Sequence, residues 1–126
     1  DGIHPLAIIA TLRNYLRRLL IFKSLQARER PRWSPMSSGD FQNHYLPALK
    51  DTGVWPDLLK GHPYALYQGF KKAAPHAPAT LKRSLGLLLE AEFKLKGSPV
   101  PDRIILEELL LSLARLHQHP AVPRTT

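Results

Sequence analysis

The sequence predicts an all-α fold, a compact orthogonal or antiparallel bundle of about five to six helices. Three observations predict it. Leucine and isoleucine recur at spacings of three and four residues, no stretch shows sustained alternation of apolar and polar residues, and β-branched residues are sparse. Because the 126 residues are enough for one core, we expect a single helical domain over residues 1–126.

The first helix is predicted from Pro5, where a missing N–H costs little, to about Arg28. Its apolar arc is unusually broad, and neither glycine nor proline interrupts it. Such an arc indicates contact with more than one neighbouring element. Taken with the family resemblance given below, it implies that part of the arc is exposed in the isolated chain and buried in an assembly. The residues that define the arc are Leu6, Ile9, Leu12, Leu16, Leu19 and Leu20.

The middle of the chain, residues 29–61, is predicted to be irregular because it is rich in proline. Asp40 is the expected N-cap of a short helix, which Pro47 should kink or end early. Trp33 and Trp55 are expected to pin this segment to the helices. The alternative is that their rings stack on unpaired nucleic-acid bases.

Three more helices complete the prediction, and we expect them over 62–74, 78–96 and 102–117. Gly97 should stop the middle one as a glycine C′ residue. Residues 118–126 should form a frayed tail.

Several function classes find no support in the residues. The chain has no cysteine for disulfides or thiolate sites, and its seven glycines form no phosphate loop. His117 and His119 point apart on a helix, so they make a poor metal pair. We therefore expect no metal, no cofactor and no catalytic residue, although a triad assembled in space stays open. The longest apolar stretch, 104–116, is too short and too charged for a membrane span.

The net charge of +8 favours an anionic partner, nucleic acid first, with a solvated basic surface as the alternative. Clustered cations contact phosphates without reading sequence. The candidate contacts to a DNA backbone are Arg13, Arg17, Arg18, Lys71, Lys72, Lys82 and Arg83.

Three stretches together resemble the C-terminal domain of the delta subunit of bacterial DNA polymerase III. HPLAIIATLRNYLRRLLIFKSL (residues 4–25) is similar to the long "LxxxxRxLL…K" helix of that family, and GHPYALYQGFKKA (61–73) to its "hPyxlkkxxxqA" helix. LKRSLGLLLEAEFKLKGSPVPDRIILEELLLSL (81–113) resembles its "LxxxLxxLLexDxxLKxG…LExLLLxL" ending. Residues 29–52 depart from the family pattern. The motif positions carried over are Gly61, His62, Pro63, Glu92 (where many members have Asp), Leu95, Lys96 and Gly97.

The resemblance implies a helical collar domain that joins the tau/gamma and delta-prime subunits of the clamp loader in a cytoplasmic bacterial replisome. The domains that bind the sliding clamp would precede Asp1, and the collar would lie above primer–template DNA. Such a domain belongs to a polymerase holoenzyme but is itself not an enzyme and needs no cofactor. The alternative is a free-standing basic helical module that binds nucleic acid.

Overall fold

A computed structural model describes residues 4–118. This part of the chain is helical and contains no strand, which confirms the all-α class. No helix between residues 4 and 118 is long and apolar enough to cross a membrane. The α-helices are α1 (Pro5–Gln26), the single turn α2 (Ser38–Asp40), α3 (Leu46–Asp51), α4 (Pro63–Ala73), α5 (Pro78–Gly97) and α6 (Asp102–Gln118).

The residues form two compact units, each defined by the contacts that its residues make with one another. The first combines the residues up to Leu20 with those from Ala77 onward, and the second runs from Ile21 to His76. Helix α1 contributes to both, since it continues through Leu20 without a break. The single domain expected from chain length stays a prediction.

The first unit contains an antiparallel hairpin of α5 and α6. Ser84 near the start of α5 lies 2.9 Å from Nε2 of His117 near the end of α6, which sets the two helices in opposite directions. Four residues, 98–101, connect them. The buried apolar residues of this unit are Ile9, Leu16, Leu19, Leu81, Leu88, Ala91, Ile105 and Leu109.

Helix α5 ends differently from the prediction. Gly97 is the last helical residue and has no positive φ, so the expected glycine C′ stop is wrong. Ser98 is extended, and its amide donates to the carbonyl of Lys94 at 2.8 Å. Because a residue before proline avoids the helical region, Pro99 is the physical reason that the helix stops here.

An aromatic core holds the second unit together. The ring of Phe70 on α4 stacks on Phe22 of α1, with centroids 4.5 Å apart, and on Trp33, with centroids 5.6 Å apart. Trp33 also meets Tyr45 edge-on at 5.2 Å. The indole of Trp33 therefore pins the irregular segment as predicted. The same prediction is wrong for Trp55, which is 50% exposed and has a φ of 43°.

The short helical segment after residue 37 begins earlier than predicted. Its N-cap is Ser37, whose hydroxyl accepts from the amide of Asp40 at 3.1 Å, so Asp40 lies inside the first turn. Residues 41–45 form a π-helical turn, in which the amide of Leu46 donates to the carbonyl of Phe41. Pro47 follows directly after this π-helical turn, and the helical run continues through it to Asp51, so the helix does not end early at Pro47 as the prediction allowed.

Side chains from α1 satisfy the last carbonyls of α4. Lys23 Nζ donates to the carbonyl of Ala74 at 2.9 Å, and Gln26 Nε2 donates to that of Phe70 at 2.8 Å. The carbonyl of Phe70 also accepts from the amide of Ala74 at 3.1 Å, so Gln26 adds a second bond there. The ammonium of Lys23 suits the negative end of the helix dipole.

Candidate interaction surface

Large apolar side chains lie exposed on the α5–α6 hairpin. On α5, Leu89 and Phe93 are 68% and 79% exposed; on α6, Leu110 and Leu111 are 55% and 56% exposed. Scattered single apolar residues are normal on a protein surface, but a concentration of large ones marks a site of interaction.

The helical repeat of α5 produces this exposure. Leu88 and Ala91 are buried, whereas Leu89 and Phe93 lie one turn apart on a face that is not. The excess apolar surface that the sequence assigned to the first helix is found mainly here. On α1 the exposed large apolar residue is Tyr15, at 48%.

A groove of about 370 Å³ runs between α5 and α6. Its apolar lining comes from both helices, and Leu111 joins it to the exposed surface of α6. Two acidic and two basic side chains also line it, so the groove does not select a ligand by net charge. The residues concerned are Leu87, Ala91, Ile105, Leu109 and Leu111, with Glu90, Lys94, Glu108 and Arg115 around them.

Most of the predicted phosphate contacts are exposed cations. They lie on different units, since Lys71 and Lys72 belong to the second and the others to the first. The exposed ones in the first unit are Arg17, Arg18, Lys82 and Arg83. Their exposure leaves them accessible to an anionic partner.

Arg13, the half-buried member of the predicted set, forms an ion pair. Its Nη1 donates to Oε1 of Glu92 at 3.1 Å, which joins α1 to α5 within the first unit. Lys96 Nζ donates to the other oxygen at 3.0 Å. Hydrogen bonding and positive charge from Lys96, with help from Arg13, lower the pKa of the Glu92 carboxyl. The motif positions Glu92 and Lys96 therefore have a structural role, and the charge of Arg13 is already partnered.

The Gly61-His62-Pro63 motif begins a helix. Nδ1 of His62 accepts from the amide of Tyr64 at 3.2 Å and caps α4, while Pro63 occupies its first turn. The first helix starts in the same way, since Nδ1 of His4 accepts from the amide of Leu6 at 3.1 Å. These two histidines are helix caps, with a ring nitrogen in the place usually taken by a side-chain oxygen.

Ser84 and His117 form a contact that their separation of 33 positions hid from sequence reasoning. Ser84 is fully buried, and its hydroxyl donates to the carbonyl of Thr80 at 2.9 Å. When the one hydroxyl proton is used in that bond, the Nε2–H tautomer of His117 donates to Ser84. In that tautomer the bond has the opposite direction to the one that activates a serine nucleophile.

The rest of the described chain offers no metal centre: among residues 4–118, no three His, Asp or Glu side chains are grouped to hold an ion. His119, the second member of the H-x-H pair, lies outside the described residues.

The chain matches no known family model, no curated protein and no solved structure. The exposed apolar side chains and the exposed cations are thus the features from which a function can be argued.

Proposed function

We propose that this chain is a non-catalytic assembly domain, used like the helical collar domain of a clamp-loader delta subunit. The observation that carries the proposal is the number of large apolar side chains exposed on the α5–α6 hairpin, namely Leu89, Phe93, Leu110 and Leu111. A surface of this kind is stabilised by contact with another protein because water is then released from it.

The magnitudes suit one contact within a larger ring. Burying a large apolar side chain contributes about 1.5–3 kcal/mol, so four contribute roughly 6–12 kcal/mol before costs. Association costs an estimated 4–15 kcal/mol in lost freedom and ordering. One such surface alone gives a weak complex. Several of them closing a ring of subunits would give a stable one.

The partners follow from the delta-like stretches at 4–25, 61–73 and 81–113. They are the tau/gamma and delta-prime subunits, in the cytoplasm at a bacterial replisome. Contact with the sliding clamp would belong to domains that precede this one, and contact with primer–template DNA would go through exposed cations. The domain would support clamp loading without catalysing a reaction.

Size-exclusion chromatography with purified tau/gamma and delta-prime tests the proposal. The chain should co-elute with them, and a variant with Leu110→Ser and Leu111→Ser should do so less. A matched control is Val54→Ser, since Val54 belongs to the second unit and not to the hairpin. The proposal is wrong if the chain stays separate under conditions in which a full-length delta subunit assembles.

A second candidate function is binding of nucleic acid by the chain alone. The observation that favours it is a set of exposed cations that lie in no ion pair within residues 4–118, namely Lys71, Lys72, Lys82 and Arg83. Each phosphate contact adds about 0.9 to the slope of log affinity against log salt on duplex DNA.

A DNA titration at about 50 and 200 mM salt separates the two functions. If the chain is a nucleic-acid module, log affinity should fall with log salt concentration with a slope of several units. Lys82→Ala together with Arg83→Ala should reduce the size of that slope by about two. Arg13→Ala is the control, because the ion pair with Glu92 already uses that cation. The assembly domain should bind DNA weakly with a shallow slope.

A further inference from the structure

Five exposed residues form a row along α5 with alternating spacings of four and three. They are Lys82, Gly86, Leu89, Phe93 and Lys96. This alternation is the spacing of the contact positions in a two-helix coiled coil, and it keeps a row of side chains facing one partner helix. The row faces solvent, whereas the buried residues of α5 (Leu81, Ser84, Leu88 and Ala91) lie on the other side of the helix.

The centre of the row is apolar and has a hollow beside it. Leu89 and Phe93 project into solvent one turn apart. One turn before them, a Cβ built on Gly86 would have nothing within 4 Å. A side chain of a partner helix can therefore reach the backbone at Gly86 and pack beside Leu89, as a knob enters a hole.

Both ends of the row are positive. Lys82 precedes Gly86 by one turn and lies in no ion pair within residues 4–118, while Lys96 follows Phe93 and shares Glu92 with Arg13. Arg83 adds exposed positive charge beside the first end, and at the second end Lys94 adds positive charge that exposed Glu90 partly offsets. A partner that covers Leu89 and Phe93 must also meet these cations.

We propose that this row is the docking seam for one helix of a partner protein, apolar at its centre and acidic one turn to either side. The seam rests on the proposed assembly function and names the chemistry of the partner. The charges at both ends supply specificity, since carboxylates there are attracted and ammonium groups are repelled.

The same charges oppose pairing with a second copy of this chain. In an antiparallel pair Lys82 would face Lys96, and in a parallel pair each lysine would face its own copy. Each copy also carries a net charge of +8. A lipid surface fits the row less well than a helix does. Membrane binding does not depend on the four–three spacing, and only Leu89 and Phe93 of the row would insert into a bilayer.

Two synthetic helical peptides of about three heptads test the seam. Both carry leucines at the central facing positions; one has glutamates and the other has lysines at the flanking ones. Fluorescence anisotropy with the full chain should show that the acidic-ended peptide binds about tenfold or more tightly than the basic-ended one. Substituting Leu89→Ser and Phe93→Ser should weaken binding of the acidic-ended peptide by a similar factor.

Charge reversal gives the decisive comparison. Lys82→Glu with Arg83→Glu should invert the preference, so that the basic-ended peptide binds more tightly; both residues are exposed and lie in no ion pair within residues 4–118. Lys50→Glu with Lys60→Glu is the matched control, since both lysines are exposed on the second unit and should leave the preference unchanged. Circular dichroism verifies that every variant is folded.

Three results would overturn the seam: equal binding of both peptides, a preference that survives charge reversal, or binding that persists without Leu89 and Phe93. Attachment to phosphatidylserine vesicles that requires Leu89 and Phe93 would also overturn it and assign the row to a lipid surface.

Parallel chromatography with tau/gamma and delta-prime distinguishes failure of the seam from failure of the proposed assembly function. If the variant with Leu89→Ser and Phe93→Ser still co-elutes with these subunits as the unaltered chain does, the docking seam is wrong but the proposed assembly function is supported. If the peptide preference inverts but nothing co-elutes, the seam stands and the clamp-loader role fails.

Discussion

Gly69 on α4 lies directly against the ring of Phe22 on α1. A Cβ placed on Gly69 would come within 2.5 Å of Cε2 of Phe22, closer than side chains approach one another. The ring cannot easily move, because Phe22 is 2% exposed and stacks on Phe70 with centroids 4.5 Å apart. In this unit, the absence of a side chain at residue 69 sets how closely the two helices approach.

Gly69→Ala should therefore destabilise the protein. Helix propensity alone favours alanine over glycine by about 1 kcal/mol, but forcing a methyl group into a packed core typically costs about 1–3 kcal/mol. We expect the steric cost to exceed the propensity gain, with a net loss on the order of 1 kcal/mol in the free energy of unfolding. Urea denaturation followed by circular dichroism measures it.

Gly86→Ala is the matched control for this substitution. Gly86 also lies within a helix, but a Cβ there would have nothing within 4 Å, so the variant should be more stable by about 0.5–1 kcal/mol. If alanine at both positions raised stability equally, the close approach at Gly69 would carry no energetic weight.

Stability should fall at alkaline pH because of Tyr45. Burial raises the pKa of its hydroxyl to about 12, against a smaller opposing effect of Arg28. In the unfolded chain the group ionises near its ordinary pKa of about 10. The contribution of Tyr45 is thus fully present below pH 10 and is lost as the pH rises toward 12, a loss of roughly 2–3 kcal/mol.

Urea denaturation at pH 9 and pH 11 measures about half of this loss, roughly 1–1.5 kcal/mol, because the folded group is still mostly protonated at pH 11. Tyr45→Phe should lose less stability between the two, because it has no hydroxyl to ionise. At neutral pH it should be at least as stable as tyrosine, since the buried hydroxyl has no hydrogen-bond partner within the described residues. An alkaline loss as steep in Tyr45→Phe as in the unaltered chain would contradict the prediction.

Glu92→Gln should weaken the link between α1 and α5 in the first unit. The pKa of Glu92 is lowered, chiefly by Lys96, so its stabilising effect is present above its ordinary pKa of 4.5 and is lost as the pH falls through the lower folded value. The variant should melt at a lower temperature at pH 7 but at nearly the same temperature in acid.

Calorimetry at pH 7 and pH 3 tests this, with a repeat in about 1 M salt, where screening should shrink the difference. Glu107→Gln is the control, because Glu107 contacts Arg103 in an exposed pair on one helix and should matter less. A larger effect of Glu107→Gln than of Glu92→Gln would show that the bridge between helices adds nothing.

His62→Ala should remove the N-cap of α4. Loss of a cap typically costs about 1 kcal/mol, whereas His62→Asn should preserve most of the stability because its side-chain oxygen can accept from the same amide. Thermal unfolding of the two variants measures the difference. Equal melting temperatures would mean that the ring nitrogen is not a significant acceptor.

The starts of the helices could be predicted from the sequence because they depend on local chemistry. Pro5, Pro63 and Pro78 each lie in the first turn of a helix, as expected where an amide has no partner to lose. The misplaced cap shows the limit of such rules. Ser37 and Asp40 are both good capping residues, and only the path of the chain decides which of them is used.

The candidate site was predicted less completely. The apolar residues of α5 and α6 were evident as a pattern, but a helix with apolar residues on several sides does not indicate which side is covered. Burial of Leu88 and exposure of Leu89 depend on where neighbouring helices pack. Likewise, Arg13 was grouped with Arg17 as a phosphate contact, whereas packing against α5 gives it Glu92 as a partner.

By itself the sequence determined the all-α class and the approximate extent of each long helix, because helical periodicity and proline act within a few residues of the backbone. Only the tertiary structure decided which apolar side chains stay in water, which cations are paired, and that Gly69 makes room for Phe22. These properties depend on residues distant along the chain, and short-range sequence patterns carry no information about such distances.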